Sequence, residues 1–219
     1  MNRISRLGFV NAYLVREDDG LTLIDTMLPR SAKPILAAAE HEGAPIVRIL
    51  LTHGHGDHVG SLDALHAALP QAEVLISARD ARLLVKDMTL DPSEPQDKLR
   101  GSYPGAKTQP TRTLQAGDRV GSLEVHAAPG HTPGQIALLD TRDRTLYCAD
   151  AYSTLGGVAT TAKVNARFPL PALATWHKPT ALDTARALRG LDPARLAPGH
   201  GNVVEAPGPA MEAAIAKGT

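Results

Sequence analysis

Four side chains able to hold a metal stand within six consecutive residues: His53, His55, Asp57 and His58, in the run Thr52-His53-Gly54-His55-Gly56-Asp57-His58. Three more follow far downstream, His131, Asp150 and His200. Five imidazoles and two carboxylates suit zinc, and iron, manganese or cobalt would accept the same donors. Residues i and i+2 of an extended chain project to one side, so His53 and His55 are placed to grip one metal together. Gly54 and Gly56 let the backbone bend tightly there. Beyond Gly56 a turn toward a helix would aim Asp57 and His58 at a second metal. A water bridging two such metals has a pKa near ~7 on zinc and becomes hydroxide at neutral pH, so the site would carry its own nucleophile. One metal would polarise a carbonyl while the other holds the departing oxygen or sulfur. Asp57 is a candidate catalytic residue as well as a ligand, because one carboxylate oxygen can remain free to hold or move a proton.

Each of these residues sits where an apolar run meets a loop. Residues 46–51 are apolar apart from Arg48 and end at Thr52; His131 follows Ala127-Ala128-Pro129-Gly130; Asp150 ends the strand-like stretch 145–149; His200 follows Leu196-Ala197-Pro198-Gly199. Sites in layered α/β proteins gather at strand ends, so this common setting suggests one shared cleft. The other four histidines, His41, His66, His126 and His177, match no motif position. His41 and His66 fall in helical patterns and His126 alternates along a strand, so they read as ordinary surface or core residues. Alone, His131, Asp150 and His200 would be equally ordinary; their order and context make the case.

The HxHxDH run, followed in order by single His, Asp and His residues in strand-end loops, resembles the metallo-β-lactamase-fold hydrolase superfamily. The resemblance covers nearly the whole chain. It includes Leu23-Ile24-Asp25-Thr26 ahead of the motif, Pro129-Gly130-His131-Thr132-Pro133-Gly134 in the middle and Pro198-Gly199-His200-Gly201 near the end. It implies a four-layer αββα sandwich, with two Zn2+ per chain and Fe or Mn as substitutes. One metal would be held by His53, His55 and His131, the other by Asp57, His58 and His200, with Asp150 bridging. Asp25 matches a position that supports the site from behind, where a carboxylate fixes the tautomer of a ligating histidine. Tyr152 is a candidate catalytic donor to the oxyanion, as a tyrosine beyond the bridging aspartate is in related lactonases.

The superfamily houses many reactions, so the fold does not settle the substrate. Only 19 residues follow His200, too few for the helical substrate-binding region of hydroxyacylglutathione hydrolases. Asp150 stands where true β-lactamases commonly place a cysteine, and His55 argues against flavin-partnered di-iron relatives. The reading expected is therefore a lactonase-like dinuclear zinc hydrolase of an ester, lactone or thioester. The alternatives are an iron sulfur (persulfide) dioxygenase, a phosphodiesterase or nuclease of the same fold, or a non-catalytic binding module. Ser153-Thr154-Leu155-Gly156-Gly157 replaces the glycine-cysteine-glycine-arginine stretch usual in the dioxygenases.

The elements that must position these residues alternate between strand and helix. Stretches 12–16 and 21–25 flank Asp18-Asp19-Gly20, a hairpin signal. A helix is expected from Ser31 as cap to Gly43, then helix over 61–69, strand over 73–76 and helix over 78–85. Strands at 123–127, 136–139 and 145–149 precede a helix at 180–189, where Thr180 and Asp183 suggest a capping box. A last helix is expected at 209–216.

Residues 86–113 hold four prolines and two glycines in a connection far longer than usual, and read as a lid or a surface insertion. Of seven aromatic residues (one Trp, four Tyr, two Phe), Tyr152, Phe168 and Trp176 fall between Asp150 and His200 and are candidate pocket walls. The length of 219 residues suits one domain over 1–219. Lys plus Arg equals Asp plus Glu at 23 each, which gives no net field for nucleic acid or an anionic membrane. No stretch approaches a membrane span and no signal peptide is evident, so a cytoplasmic chain acting on a small molecule is expected, with a homodimer allowed. Cys148, the single cysteine, reads as a buried small hydrophobe.

Overall fold

The computed structural model describes residues 1–218, which fall into two compact units. The first comprises Met1–Asp87 and Tyr103–Leu114; the second comprises Met88–Ser102 and the described residues from Gln115 onward.

The first unit contains strands β1 (Asn2–Arg6), β2 (Val10–Glu17), β3 (Gly20–Ile24), helix α1 (Ala32–Glu42), β4 (Ile46–Leu50), helices α2 (Gly56–Val59) and α3 (Leu62–Ala68), β5 (Glu73–Ser77), α4 (Ala78–Leu84) and β6 (Arg112–Leu114). Its strands form one sheet in the order β1-β2-β3-β4-β5-β6. The first three run antiparallel, and Glu17 pairs with Gly20 across the two-residue loop Asp18-Asp19, as the hairpin signal implied. From β3 to β6 the pairing is parallel, with helices carrying the chain between strands. Leu21, Leu23, Ile49, Leu51, Val74 and Ile76 alternate onto a core shared with Ile35, Leu62 and Leu65. Ile24, Leu50 and Leu75, on the opposite face, are also buried. A strand buried on both faces cannot show alternation, which is why 46–51 reads as an almost continuous apolar run.

The second unit contains β7 (Arg119–Val120), β8 (Leu123–Ala127), β9 (Ile136–Asp140), β10 (Thr145–Ala149), β11 (Tyr152–Ser153), β12 (Ala159–Thr160), α5 (Leu170–Ala174), α6 (Lys178–Gly190), β13 (Arg195–Pro198), β14 (Val204–Glu205) and α7 (Gly208–Gly218). Its main sheet has the order β14-β13-β10-β9-β8-β7, and β11 and β12 form a separate two-stranded hairpin. Leu139, Leu146, Cys148 and Leu196 pack with Ala185 and Leu188 of α6 and Met211 of α7. Cys148 is fully buried, as expected, and burial pushes its thiol pKa up.

Two helix starts differ from the sequence reading. Ser31 occupies the N-cap position of α1 but makes no side-chain cap bond; its backbone N–H instead donates to the Ser61 hydroxyl at 2.7 Å. Helix α6 begins at Lys178, so Thr180 lies inside its first turn and the cap is His177, whose Nδ1 accepts from the Thr180 N–H at 3.3 Å. Pro179 tolerates the first turn because it has no N–H to satisfy, which lets the helix start earlier than the Thr180-Asp183 pair suggests. Asp183 pairs with Arg186 at 2.8 Å.

Residues 86–113 contribute only the start of β6 to regular structure. Within the first unit, the Asp63 carboxylate accepts from the Lys107 N–H (3.0 Å), the Thr108 N–H (2.8 Å) and the Thr108 hydroxyl (2.8 Å). Within the second, the Trp176 indole N–H donates to the Asp97 carbonyl at 2.8 Å. Among the described residues no helix is long and apolar enough to cross a membrane.

Candidate metal centre

In the first unit the parallel strands β3 and β4 end side by side, and the ligand run starts where β4 stops. Asp25 follows β3 with φ +62°, a left-handed conformation that aspartate tolerates better than most residues. Its Oδ1 accepts from the Thr52 N–H at 2.8 Å, and its Oδ2 lies 2.8 Å from both the Thr52 hydroxyl and His58 Nδ1. The Thr52 hydroxyl also lies 3.0 Å from His53 Nδ1.

Counting hydrogens fixes the tautomers. The carboxylate only accepts, so His58 carries its proton on Nδ1. The single hydroxyl hydrogen of Thr52 goes to Asp25, so His53 must donate from Nδ1. In both rings the lone pair then sits on Nε2, the nitrogen left to ligate a metal. The rings are gathered closely: the His53 centroid is 4.0 Å from that of His58 and 4.9 Å from that of His55.

Past Gly56 the chain turns into α2, with His55 as N-cap and Asp57 half-buried in its first turn, as expected from the sequence. Gly54 serves closeness rather than an unusual bend. A Cβ there would stand 2.9 Å from the Leu83 Cβ of α4, and its N–H donates to the fully buried Asp80 carboxylate at 3.0 Å. The Asp80 N–H is in turn capped by Ser77 Oγ at 3.0 Å.

In the second unit β10 and β13 are parallel neighbours, and the Gly199 N–H donates to the Ala149 carbonyl at 3.0 Å. Asp150 and His200 therefore emerge from adjacent strand ends. Asp150 Oδ2 lies 3.4 Å from His131 Nε2 and 3.1 Å from His200 Nε2. Two ligands at a tetrahedral angle on one zinc, each about 2.0–2.1 Å from it, stand ~3.4 Å apart, so this spacing suits donors around an ion. His131 repeats the tautomer logic of the first unit. Thr175 Oγ1 lies 2.9 Å from His131 Nδ1 and spends its own hydrogen on the Pro171 carbonyl at 2.8 Å, so His131 donates from Nδ1 and presents Nε2.

Backbone geometry sets the rest. Gly130 has φ +124°, and a Cβ there would lie 2.3 Å from the Ala181 nitrogen. Ala149, just before Asp150, has φ +47°, a conformation that costs a non-glycine residue energy and is held by its surroundings. The Asp150 carbonyl accepts from the Thr161 hydroxyl at 2.8 Å, and the Phe168 ring lies 5.5 Å from that of His200.

In the first unit His53, His55 and His58 are buried and Asp57 is half-buried; in the second His131, Asp150 and His200 are buried. Tyr152 is a correction. It is fully buried in the core of the second unit, and its hydroxyl donates to the Ala185 carbonyl of α6 at 2.7 Å. That hydrogen is committed to a helix backbone and does not serve an oxyanion. Among the expected pocket aromatics, Phe168 does face a proposed ligand, whereas Trp176 ties down Asp97.

The tyrosine that touches a proposed ligand is Tyr103, whose ring centroid is 4.6 Å from that of His55. Burial, with the charge of Asp80 adding to it, pushes the Tyr103 phenol pKa up and keeps it protonated. Tyr103, Asp80 and Thr175 carry no sequence signal for the site. Ser77 and Asp80 do have capping-box spacing, but that would mark only a helix start.

Residues 5–200 match the family model described as the metallo-beta-lactamase superfamily. The chain belongs to that superfamily. Among its relatives, "Uncharacterized protein YobT" of Bacillus subtilis is 46% identical over 95% of this chain and 90% of its own length. "Probable metallo-hydrolase YflN" of the same organism is 30% identical over 87% and 80% respectively. A hydroxyacylglutathione hydrolase of Enterobacter is 34% identical over 68% of this chain but only 51% of its own length.

Two solved structures share the metallo-β-lactamase fold with it. The TTHA1623 protein in a di-iron-bound form superposes with a TM-score of 0.69 at 26% identity, covering 94% of each chain. The BLEG-1 B3 metallo-β-lactamase gives 0.71 at 21%, again covering 94% of each chain. The two helix-bearing sheets are those expected of a metallo-β-lactamase-superfamily chain, whose members include hydrolases.

Proposed function

We propose that the chain is a dinuclear metal-dependent hydrolase of a carbonyl ester, lactone or thioester, with zinc as its ordinary metal. One ion would be held by His53, His55 and His131 and the other by Asp57, His58 and His200, with Asp150 shared. The observation that carries the reading is the hydrogen accounting at His53, His58 and His131. Three buried imidazoles are each held through Nδ1, so each offers Nε2 as an oriented donor. A core histidine needs no such uniform tautomer.

Bound metal ions would supply an acidified water and an electrophile for the scissile carbonyl. The chain's own part is to orient donors, through Asp25, Thr52 and Thr175, and to exclude bulk water by burying them. Asp57, half-buried at the start of α2, is placed to hold or pass a proton. The similarity to hydroxyacylglutathione hydrolases supports acyl transfer to water.

Elemental analysis of protein purified without added metal, paired with turnover of a panel of lactones, esters and thioesters, tests this. About two zinc ions per chain with turnover supports it. About one iron per chain without hydrolysis overturns it in favour of the sulfur dioxygenase.

A further inference from the structure

Away from the proposed ligands, the second unit contains an open cavity of about 730 Å³. Its lining comes from residues 156–160 and 163–167 on one side and from α7 on the other. The floor is small and apolar, built from Val158, Ala159, Ala210 and the buried Ala214. Lys163, Arg167 and Lys217 also line it, and among the described residues no carboxylate side chain does. Among the described residues the Lys163 and Lys217 side chains make no hydrogen bond or ion pair, while the Arg167 guanidinium reaches only the Gly156 carbonyl at 3.5 Å.

Several arginines elsewhere in the second unit are matched by acids. Arg189, on the neighbouring α6, pairs with both Asp192 and Glu212, and Arg195 pairs with Asp143 and Glu205. The cavity is thus a local positive patch on a chain with no net charge, joined to an apolar floor. Its volume lies within the range of small-molecule sites.

We propose that this cavity binds an anionic amphiphile, a carboxylate or phosphate head on a short aliphatic chain, at a site separate from the metal centre. The cations take the head and the alanine-valine floor takes the chain, whose burial from water favours binding. No aromatic side chain lines the cavity, so a nucleotide base would find nothing to stack on. The site adjoins the proposed ligands without containing any. Thr160 in its lining precedes Thr161, which bonds the Asp150 carbonyl, and Arg167 precedes Phe168, which faces His200.

Calorimetric titration of the full, metal-loaded chain tests this with four probes: octanoate, octyl phosphate, octanol and inorganic phosphate. Octanoate or octyl phosphate should bind at one per chain, with the better of the two identifying the head group, and at least about tenfold more tightly than octanol or inorganic phosphate. Lys163→Gln combined with Lys217→Gln should weaken that binding roughly five- to thirtyfold, with metal content and melting temperature unchanged. Ala213→Phe, which fills the cavity from α7, should weaken it without altering charge. Unchanged amphiphile affinity in both variants overturns the site, and so does inorganic phosphate or octanol binding as tightly as its amphiphilic counterpart. The readout is independent of turnover, so a chain that binds octanoate here yet hydrolyses nothing would sink the functional proposal and leave this one standing.

Discussion

In the first unit four proposed ligands come from six consecutive residues, and the buried carboxylate of Asp25 holds His58 directly and His53 through Thr52; in the second, three ligands come from three separate loops, and His131 is held by the Thr175 hydroxyl. The contiguous set has a glycine-rich backbone with freedom to lose, and it is fixed by polar bonds from Asp25, Thr52 and Asp80. The dispersed set is fixed by where strands end and by tight backbone: paired β10 and β13, Gly130 against α6, and Ala149 in a left-handed conformation. Its polar support comes from neutral groups, the Thr175 hydroxyl at His131 and the Thr161 hydroxyl at the Asp150 carbonyl. A cluster close in sequence needs electrostatic anchoring, whereas a cluster assembled from afar inherits its precision from the sheet.

Substitution at the point where the dispersed set converges should have the largest effect. Asp150 Oδ2 faces both His131 and His200, so Asp150→Ala removes the shared donor. Hydrolysis should fall by at least about a thousandfold and one metal equivalent should be lost. Full turnover with two metals retained would remove Asp150 from the centre and leave the second set without its focus.

Gly130→Ala probes the backbone side of the contrast. The added Cβ would meet the Ala181 nitrogen at 2.3 Å in a conformation alanine resists, so the cost should be about 3 kcal/mol, a drop of roughly 6–12 °C in melting temperature. Gly54→Ala meets only the Leu83 Cβ at 2.9 Å without a left-handed φ and should cost less. If Gly54→Ala proved the more damaging, backbone fit would govern the contiguous set too, and the contrast would fail.

The same contrast explains what could be read from the chain alone. His53, His55, Asp57 and His58 declare themselves because chemistry and spacing coincide within one turn of chain. His131, Asp150 and His200 become legible only through their order and shared strand-end context, since each is an ordinary residue in isolation. The hairpin at Asp18-Asp19 and the run at 46–51 were visible because turn chemistry and continuous apolarity are local signals. Tyr152 misled because position in sequence says nothing about which face of a short hairpin a side chain takes, and this one turned into the α6 core. Thr175 and Tyr103 touch proposed ligands, and Asp80 holds the Gly54 between two of them, each from tens of residues away, distances at which only tertiary structure speaks.

Paired substitutions of the supports sharpen the comparison further. Asp25→Asn should cost about 10–100-fold in metal affinity or turnover, because it weakens a carboxylate that orients His58 directly and His53 through Thr52. Thr175→Val removes one neutral acceptor from His131, and a loss of roughly fivefold is expected. Both can be read by competition with a zinc chelator. Equal losses would mean that the second set depends on polar support as much as the first, against the division drawn from the geometry.

The smallest effect is expected at Asp63, where the first unit holds the arm that brings Tyr103 to His55. Burial raises the pKa of this carboxyl, but hydrogen bonds from the Thr108 and Lys107 backbone N–H groups and the Thr108 hydroxyl outweigh it, and the net shift is downward. A carboxyl lowered on folding contributes stability that is present above its unfolded value, near ~3.9, and lost as pH falls through the folded value. Asp63→Asn should therefore speed amide exchange at Lys107 and Thr108 by roughly fivefold near neutral pH. The ratio to wild type should shrink toward one only as pH falls through that lowered folded value, where the native carboxyl itself becomes protonated. A ratio that held steady into acid would show that shape rather than charge secures the arm, making this part of the contiguous set resemble the backbone-fitted second unit.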